Sequence, residues 1–348
     1  MSTFAFIACR DEGTIEVHSL DQERGTLRRL KCYDGVPGVS TLVFDHRRAI
    51  LYAGRNGETP LVSAFTVVAG GRLEHRGDYE LPHSLAYLAF DGDALLVASY
   101  HDSALSRIPL DSDGLPTTQL PTYTDDRDVA QVHCVLPTRD GRHVYATSLG
   151  TDAILTYRRG GEGEPDLVRL PDTIVEPAGD GPRHLIVAPD GSKVVVLTEM
   201  GGRVLFYSRD AETGVLTLEQ VASIQGRDDH LVRGVARIPG GAEVPDQPMW
   251  AADIRGVRGG EFFITTERTT SKLAVLRGGD QPRLVGQATT EKQPRAAAVV
   301  PGGELVFVAG ELSDHISVYR VGGNGVLSPT QRVETGAKPS WITFQIVD

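Results

Sequence analysis

The sequence predicts an all-β fold, a seven-bladed β-propeller, and three observations carry the prediction. A unit of two apolar strands around a tight turn returns at intervals of roughly 45 to 50 residues, the spacing of propeller blades. Glycine and proline, 39 and 20 of 348 residues, are spread evenly, as many short strands joined by turns require, and apolar patterns of helical period are hard to find. The two ends of the chain each carry an incomplete unit, and the two pieces complement one another.

The clearest unit runs from Gly181 to Glu199: a strand over Leu185 to Ala188, a turn at Pro189-Asp190-Gly191 and a second strand over Lys193 to Leu197. Both ends of such a hairpin lie together, so Arg183 and Glu199 are expected on one side of the molecule. In chain order, units begin near Val36, Pro82, Val132, Pro182, Met249 and Pro294, with turn signals at Asp91-Gly92, Asp140-Gly141, Asp190-Gly191, Gly259-Gly260 and Gly302-Gly303. The tail from Lys338 to Val347 reads as the first strand of a further unit. The head reads as its second to fourth strands, Phe4–Ala8, Thr14–Leu20 and Thr26–Tyr33. A last blade closed by strands from both termini removes the unpaired edges, giving one propeller domain over residues 1–348. The longest departure from the repeat, Gly226 to Gln247 with Arg227, His230, Arg233 and Arg237, precedes the fifth unit. It is expected on the face of Arg183, either as a functional loop or as a solvated insertion.

A formal charge of −11 and the lack of a long basic run argue against nucleic acid as a partner. No apolar run approaches the ~20 residues that cross a bilayer, and Met1 to Arg10 has no leader pattern, so a soluble cytoplasmic protein without a membrane partner is expected. Three cysteines without CxxC spacing, Cys9, Cys32 and Cys134, read as reduced thiols, each a small buried side chain. A closed ring offers no apolar edge that obliges pairing, so a monomer or weak homodimer is expected.

In a propeller the first strand of each blade lines the central channel, and its leading residues surround one mouth together with the residues that follow the second strand. Superposing the units places His83/Ser84, His133, Arg183, Trp250/Ala251, Arg295 and Ser340/Trp341 at leading positions. Arg10, Arg55, Tyr100, Ser148, Glu199, Glu267 and Glu311 fall at trailing ones. Turn formers would satisfy a structural repeat, whereas this ring of arginines, histidines and carboxylates can converge on one small polar ligand. Each residue also has a structural alternative. Arg183 and Arg295 could pair with Glu199, Glu267 or Glu311 as a network between blades, and His133 could be a satisfied histidine under a loop. Strand alternation directs His184 away from Arg183, and His18 and His143 read as structural. Trp250 and Trp341 suit blade packing or ligand stacking. Asp140 and Asp190 are turn formers. No GxSxG, HExxH, Walker or EF-hand pattern is present, and arginines interspersed among the carboxylates weaken a divalent-cation site.

These residues resemble the bacterial propeller-type 6-phosphogluconolactonases, within a wider lactonase group that includes the fungal 3-carboxymuconate cyclase. The resemblance runs over nearly the whole chain. It rests on Gly181-Pro-Arg-His-Leu with Thr198-Glu199, Trp250-Ala-Ala-Asp-Ile with Glu267-Arg268-Thr, Thr290-Glu-Lys-Gln-Pro-Arg295, and Ala309-Gly310 with Ser313-Asp-His-Ile-Ser-Val-Tyr319. Val132-His133 and Ala98-Ser-Tyr100 also fit. Cys134, Thr198 and Ala296 depart from the family pattern. The resemblance implies a seven-bladed propeller that hydrolyses a sugar lactone without a metal or cofactor, most specifically 6-phosphoglucono-δ-lactone in the pentose phosphate pathway. His133 or Glu199 would activate water and Arg183 would stabilise the oxyanion. Arg10, Arg55, Tyr100, Trp250, Glu267, Arg268, Arg295 and Trp341 would line the substrate site, with Arg268, Arg295, Arg55 or Arg10 reading a phosphate. An enzyme for an unphosphorylated sugar-acid or muconate-type lactone, and a binding propeller without chemistry, are the alternatives.

Overall fold

A computed structural model describes residues 2–117, 122–123, 130–238 and 240–347. Its strands form seven antiparallel sheets of the predicted kind. Blade 1 holds Val39–Asp45, Ile50–Arg55, Leu61–Val68 and Arg72–Glu80, and blade 2 holds Tyr87–Phe90, Ala94–Ser99, Ala104–Pro109 and Thr122–Tyr123. Blade 3 is built from Val132–Pro137, His143–Ser148, Ala153–Arg159 and Leu167–Arg169, with Thr173–Ile174 also pairing to its third strand. Blade 4 comprises Pro182–Val187, Lys193–Thr198, Arg203–Arg209 and Leu216–Ser223; blade 5, Ala251–Val257, Phe262–Glu267, Lys272–Arg277 and Arg283–Thr289; blade 6, Pro294–Val299, Leu305–Gly310, His315–Val321 and Leu327–Glu334.

Blade 7 is the composite. The C-terminal strand Pro339–Val347 pairs with Ser2–Cys9, followed by Thr14–Asp21 and Thr26–Tyr33. Each innermost strand packs against those of the blades beside it, and the circle closes where Pro339–Val347 meets Val39–Asp45. Closure by the two ends removes the edges an open array would expose.

Burial explains why some strands are clearer in the sequence than others. Second strands such as Ile50–Arg55, Ala94–Ser99 and Leu305–Gly310 are buried at every residue, because neighbouring blades cover both faces, and they read as continuous apolar runs. Outermost strands such as Leu216–Ser223 and Arg283–Thr289 expose much of their length. Cys32 lies on one of these and is exposed, against the expectation of a buried side chain, whereas Cys9 and Cys134 are buried; all three are free thiols. The hairpin turns recur in one geometry, with Gly92, Gly141, Gly191 and Gly302 at φ of 74, 69, 72 and 71°, a left-handed conformation that glycine adopts without steric cost. Among the described residues no helix is long and apolar enough to cross a membrane.

One irregularity repeats and sets up the channel mouth. The first strands of blades 1, 3, 4, 5 and 6 each carry a bulge against the second strand, leaving Ser40, His133, Arg183, Ala252 with Asp253, and Arg295 as extra residues. Blade 7 shows the same shift at Ser340, between Pro339 and Trp341. A bulge breaks the alternation of the pleat and re-aims side chains. Here it does so at the same place around the ring.

The segment 226–247 is tied down at several points. Val232 bridges Pro248, Gly234 N–H donates to Met200 O at 3.0 Å, and Arg233–Asp180 and Lys272–Asp229 form ion pairs to blades 4 and 5.

Candidate active site

Arg183 and Glu199 meet as the hairpin requires. Arg183 Nε lies 2.8 Å from Glu199 Oε2, and Glu199 Oε1 accepts from Arg268 Nη2 at 2.6 Å. All three are buried, Glu199 at 5 % and Arg183 at 1 % exposure. The Arg183–Glu199 approach has ion-pair distance without hydrogen-bond alignment, so Arg183 Nε–H has no hydrogen-bond acceptor among the described residues. Below it, Arg183 Nη1 donates to the Ala252 carbonyl and faces His184 Nε2 at 3.1 Å. Burial raises the Glu199 carboxyl, but Arg268 and Arg183 outweigh it and hold it below the usual range, so it is ionised at neutral pH.

Arg295 pairs with Glu311 at 3.8 Å and stands within electrostatic reach of Arg268, Glu199 and Arg10. Burial, and after it the neighbouring guanidinium groups, lowers the proton affinity of Arg183 and Arg295. The mouth is a crowd of guanidinium groups around two carboxylates, Glu199 and Glu311. Such a cluster is short of negative charge.

His133 sits beside it, buried at 4 %, its ring 5.6 Å from Tyr100 and 5.1 Å from His184. Its Nδ1 has no hydrogen-bond partner among the described residues. Burial first, then Arg183, His184 and Arg295, hold it well below the ordinary histidine range, so it is neutral at pH 7. Burial, then the charge of Glu199, pushes Tyr100 up to about 12, opposed by Arg183, Arg268 and Arg295; its phenol stays protonated beside them.

Not every expected residue arrives at the mouth. Arg10 and Trp341 line it with His133, Arg183 and Arg295. Arg55 turns instead toward the outer strands of blade 1, donating to Pro37 O at 3.2 Å and Ser63 Oγ at 3.1 Å and pairing with Asp78 at 3.4 Å. Glu267 has a structural role. Its Oε1 accepts from the Trp250 and Thr269 N–H groups and its Oε2 from Thr270 N–H and Oγ1, at 2.6 to 3.1 Å, so both oxygens are filled by the turn that follows it and by the residue leading into the first strand of blade 5. Trp250 is half structural: its Nε1–H donates to Val235 O at 3.0 Å, and its carbonyl accepts from Arg268 Nε at 3.1 Å.

The structure also brings in residues the sequence did not single out for the site. Arg237, on the long loop, lies 3.6 Å over the Trp250 ring, a cation–π stack, and is within electrostatic reach of Arg268, Glu199 and Glu311. It carries no ion pair among the described residues. His184 was expected to point away from Arg183, yet it touches it, because the bulge at Arg183 cancels the alternation that would separate them. Under both lies Asp253, wholly buried, whose signal was only its place in the Trp250-Ala-Ala-Asp motif.

The lactonase family of seven-bladed β-propellers matches residues 4–344. The chain is 30% identical over 358 residues to a 6-phosphogluconolactonase of Pectobacterium carotovorum, covering all of both chains. It is 28% identical over 349 residues to a 6-phosphogluconolactonase of Sodalis glossinidius, covering 99% of each. Among solved structures it superposes on the periplasmic gluconolactonase of Pseudomonas aeruginosa with a TM-score of 0.82 at 23% identity, covering all of both chains. A protein from Lactobacillus plantarum superposes with a TM-score of 0.85 at 21% identity, covering 99% of this chain and all of that one. Fold, blade count and whole-length match agree: the chain belongs to the lactonase family of seven-bladed β-propellers.

Proposed function

We propose that the channel mouth hydrolyses a sugar δ-lactone, with 6-phosphoglucono-δ-lactone as the preferred substrate. The observation that carries this is one arrangement: a neutral, buried histidine, one ring nitrogen of which has no hydrogen-bond partner among the described residues, within electrostatic reach of Arg183, whose guanidinium pairs with the carboxylate that Arg268 also holds. His133 is the better base than Glu199, because both Glu199 oxygens are engaged by Arg183 and Arg268.

In this reading His133 takes a proton from water as the water oxygen bonds to the lactone carbonyl carbon. Charge develops on the former carbonyl oxygen beside Arg183. Collapse then breaks the bond from that carbon to the ring oxygen, which takes the proton back from His133 and leaves an open hydroxy acid. An activated ester asks modest help: a general base is worth ~10²–10⁴ and one oxyanion contact ~10²–10³. Glu199 holds Arg183 and Arg268 in place, and Arg237, Arg268, Arg295 and Arg10 supply cations for a phosphate or for the product carboxylate. Arg237, exposed on the long loop, stacked on Trp250, within electrostatic reach of Arg268 and Glu199 and without an ion pair among the described residues, is suited to reading a phosphate. Free thiols suit a reducing compartment, and we place this activity in the cytoplasm, carried out by one propeller over residues 1–348 as a monomer or weak homodimer.

The test is His133→Asn, assayed by acid release from fresh lactone with the uncatalysed rate subtracted. We expect kcat to fall ~10²–10⁴-fold with KM little changed. A kcat equal to wild type would remove His133 from the chemistry and return the base to Glu199.

A further inference from the structure

We infer that His184 and Asp253 are positioning residues that set the direction of the Arg183 guanidinium, by fixing which nitrogen of His184 carries the proton. The inference rests on the lactonase reading of the mouth for its kinetic consequence, and on hydrogen-bond geometry and the charges around it for the tautomer.

Asp253 is fully buried, and both its oxygens are filled by donors. Oδ1 accepts from Ile254 N–H at 2.8 Å and faces His184 Nδ1 at 2.8 Å. Oδ2 accepts from Arg255 Nη2 at 3.0 Å and from Ala297 N–H at 2.9 Å. These partners come from blades 4, 5 and 6, so the carboxylate is locked where three innermost strands meet. Arg255 is itself fixed by donating from Nε to Ala297 O at 2.7 Å. Arg255 and His184 together keep Asp253 ionised against its burial.

An ionised carboxylate only accepts, so the His184 nitrogen facing it carries the hydrogen. In a neutral imidazole the other nitrogen, Nε2, then has a lone pair, and it meets Arg183 Nη1 at 3.1 Å. Burial, then the Arg183 charge, lowers His184 despite Asp253, so the neutral ring is the form present. The second direction of Arg183 Nη1 goes to the Ala252 carbonyl. With Nη1 held from below, Nε–H and Nη2 are left on the side of Glu199 and the mouth. The opposite tautomer would point an N–H at an N–H and push the guanidinium off this pose. The ring cannot escape by rotation, because Tyr87, His133 and Trp341 stand edge-on around it at 5.3, 5.1 and 6.4 Å. An orienting partner that selects a histidine tautomer for the group it serves is a recurring device in active sites.

Two substitutions separate positioning from packing. His184→Phe keeps the ring shape and loses the acceptor; His184→Gln loses the ring and can return an acceptor oxygen to Arg183. We expect His184→Phe to lower kcat on 6-phosphoglucono-δ-lactone by ~10²-fold, the scale of one oxyanion contact, with KM within about threefold, and His184→Gln to recover at least ~10-fold of that loss. A Phe variant as active as wild type, or more active than the Gln variant, would overturn the inference. Independently of turnover, ¹⁵N shifts of wild-type His184 should report an Nδ1–H, Nε2-lone-pair ring at pH 7. An Nε2–H or a doubly protonated ring would overturn it whatever the substrate proves to be. Wild type inactive on the lactone, with the Nδ1–H ring observed, would sink the substrate reading and leave the tautomer assignment standing.

Discussion

Glu199→Gln keeps the shape of the side chain and deletes its charge, and the buried ion pairs around Glu199 set the cost. The carboxylate holds Arg268 at 2.6 Å and Arg183 at 2.8 Å, with Arg295 also within electrostatic reach. A glutamine can offer one oxygen to these donors, but its amide N–H groups must then face another guanidinium. Removing one partner of a buried ion pair costs about 3–5 kcal/mol, because the remaining charge stays desolvated and unpaired. Unfolding entropy near 2.1 cal/mol/K per residue gives roughly 0.7 kcal/mol/K over 348 residues, so Tm should fall by about 4–7 °C at pH 7. The sign with pH is fixed. Glu199 is depressed below its ordinary value of 4.5, so its contribution is present above pH 4.5 and fades as pH falls through its folded pKa. The gap between wild type and variant should therefore narrow in acid. Inorganic phosphate, which the variant's unpaired guanidinium groups can recruit, should raise the Tm of Glu199→Gln more than that of wild type. Scanning calorimetry from pH 3.5 to 8 reads all of this. A variant within about 1 °C of wild type at pH 7, or a gap that widens in acid, would refute the buried triad as described.

Arg183→Met should lower kcat by ~10²–10³-fold, the loss of one oxyanion contact, measured as steady-state acid release; an unimpaired enzyme would exclude Arg183 from the chemistry. Because His133 is held well below the ordinary histidine value of 6.5, kcat/KM in the free enzyme should stay level from neutral pH down past 6.5 and fall only in more acid solution; an acid limb at or above 6.5 would contradict the burial described for it. Arg237→Met should raise KM for the phosphorylated lactone by ~10–10²-fold, the value of a hydrogen bond to a charged group, while leaving the unphosphorylated lactone unaffected; equal effects on both would remove Arg237 as a phosphate reader.

Much of this was legible in the sequence, for physical reasons that also mark its limits. Second strands are covered on both faces and read as apolar runs, so the repeat, its turns and the complementary termini gave seven blades and brought Arg183 to Glu199. His184 was misdirected because strand alternation holds only in a regular ladder, and the bulge at Arg183 adds a residue that no apolar pattern signals. Glu267 and Arg55 stand at positions equivalent to Glu199, but position in a repeat does not tell which side chain finds its partners locally: Glu267 caps its own turn, and Arg55 is drawn outward by Asp78. Arg237 could be placed on the correct face, since its loop precedes blade 5. Its stacking on Trp250 is a contact between distant segments and leaves no trace in spacing.

The rate of acid release from freshly generated 6-phosphoglucono-δ-lactone, set beside that from unphosphorylated gluconolactone with and without a chelator, bears most directly on a mouth built of guanidinium groups around a neutral histidine. A preference of at least ~10-fold in kcat/KM for the phosphorylated lactone, the value of one charge-assisted hydrogen bond, is expected to persist under chelation. Equal or faster turnover of the unphosphorylated lactone, or loss of activity with the chelator, would contradict it.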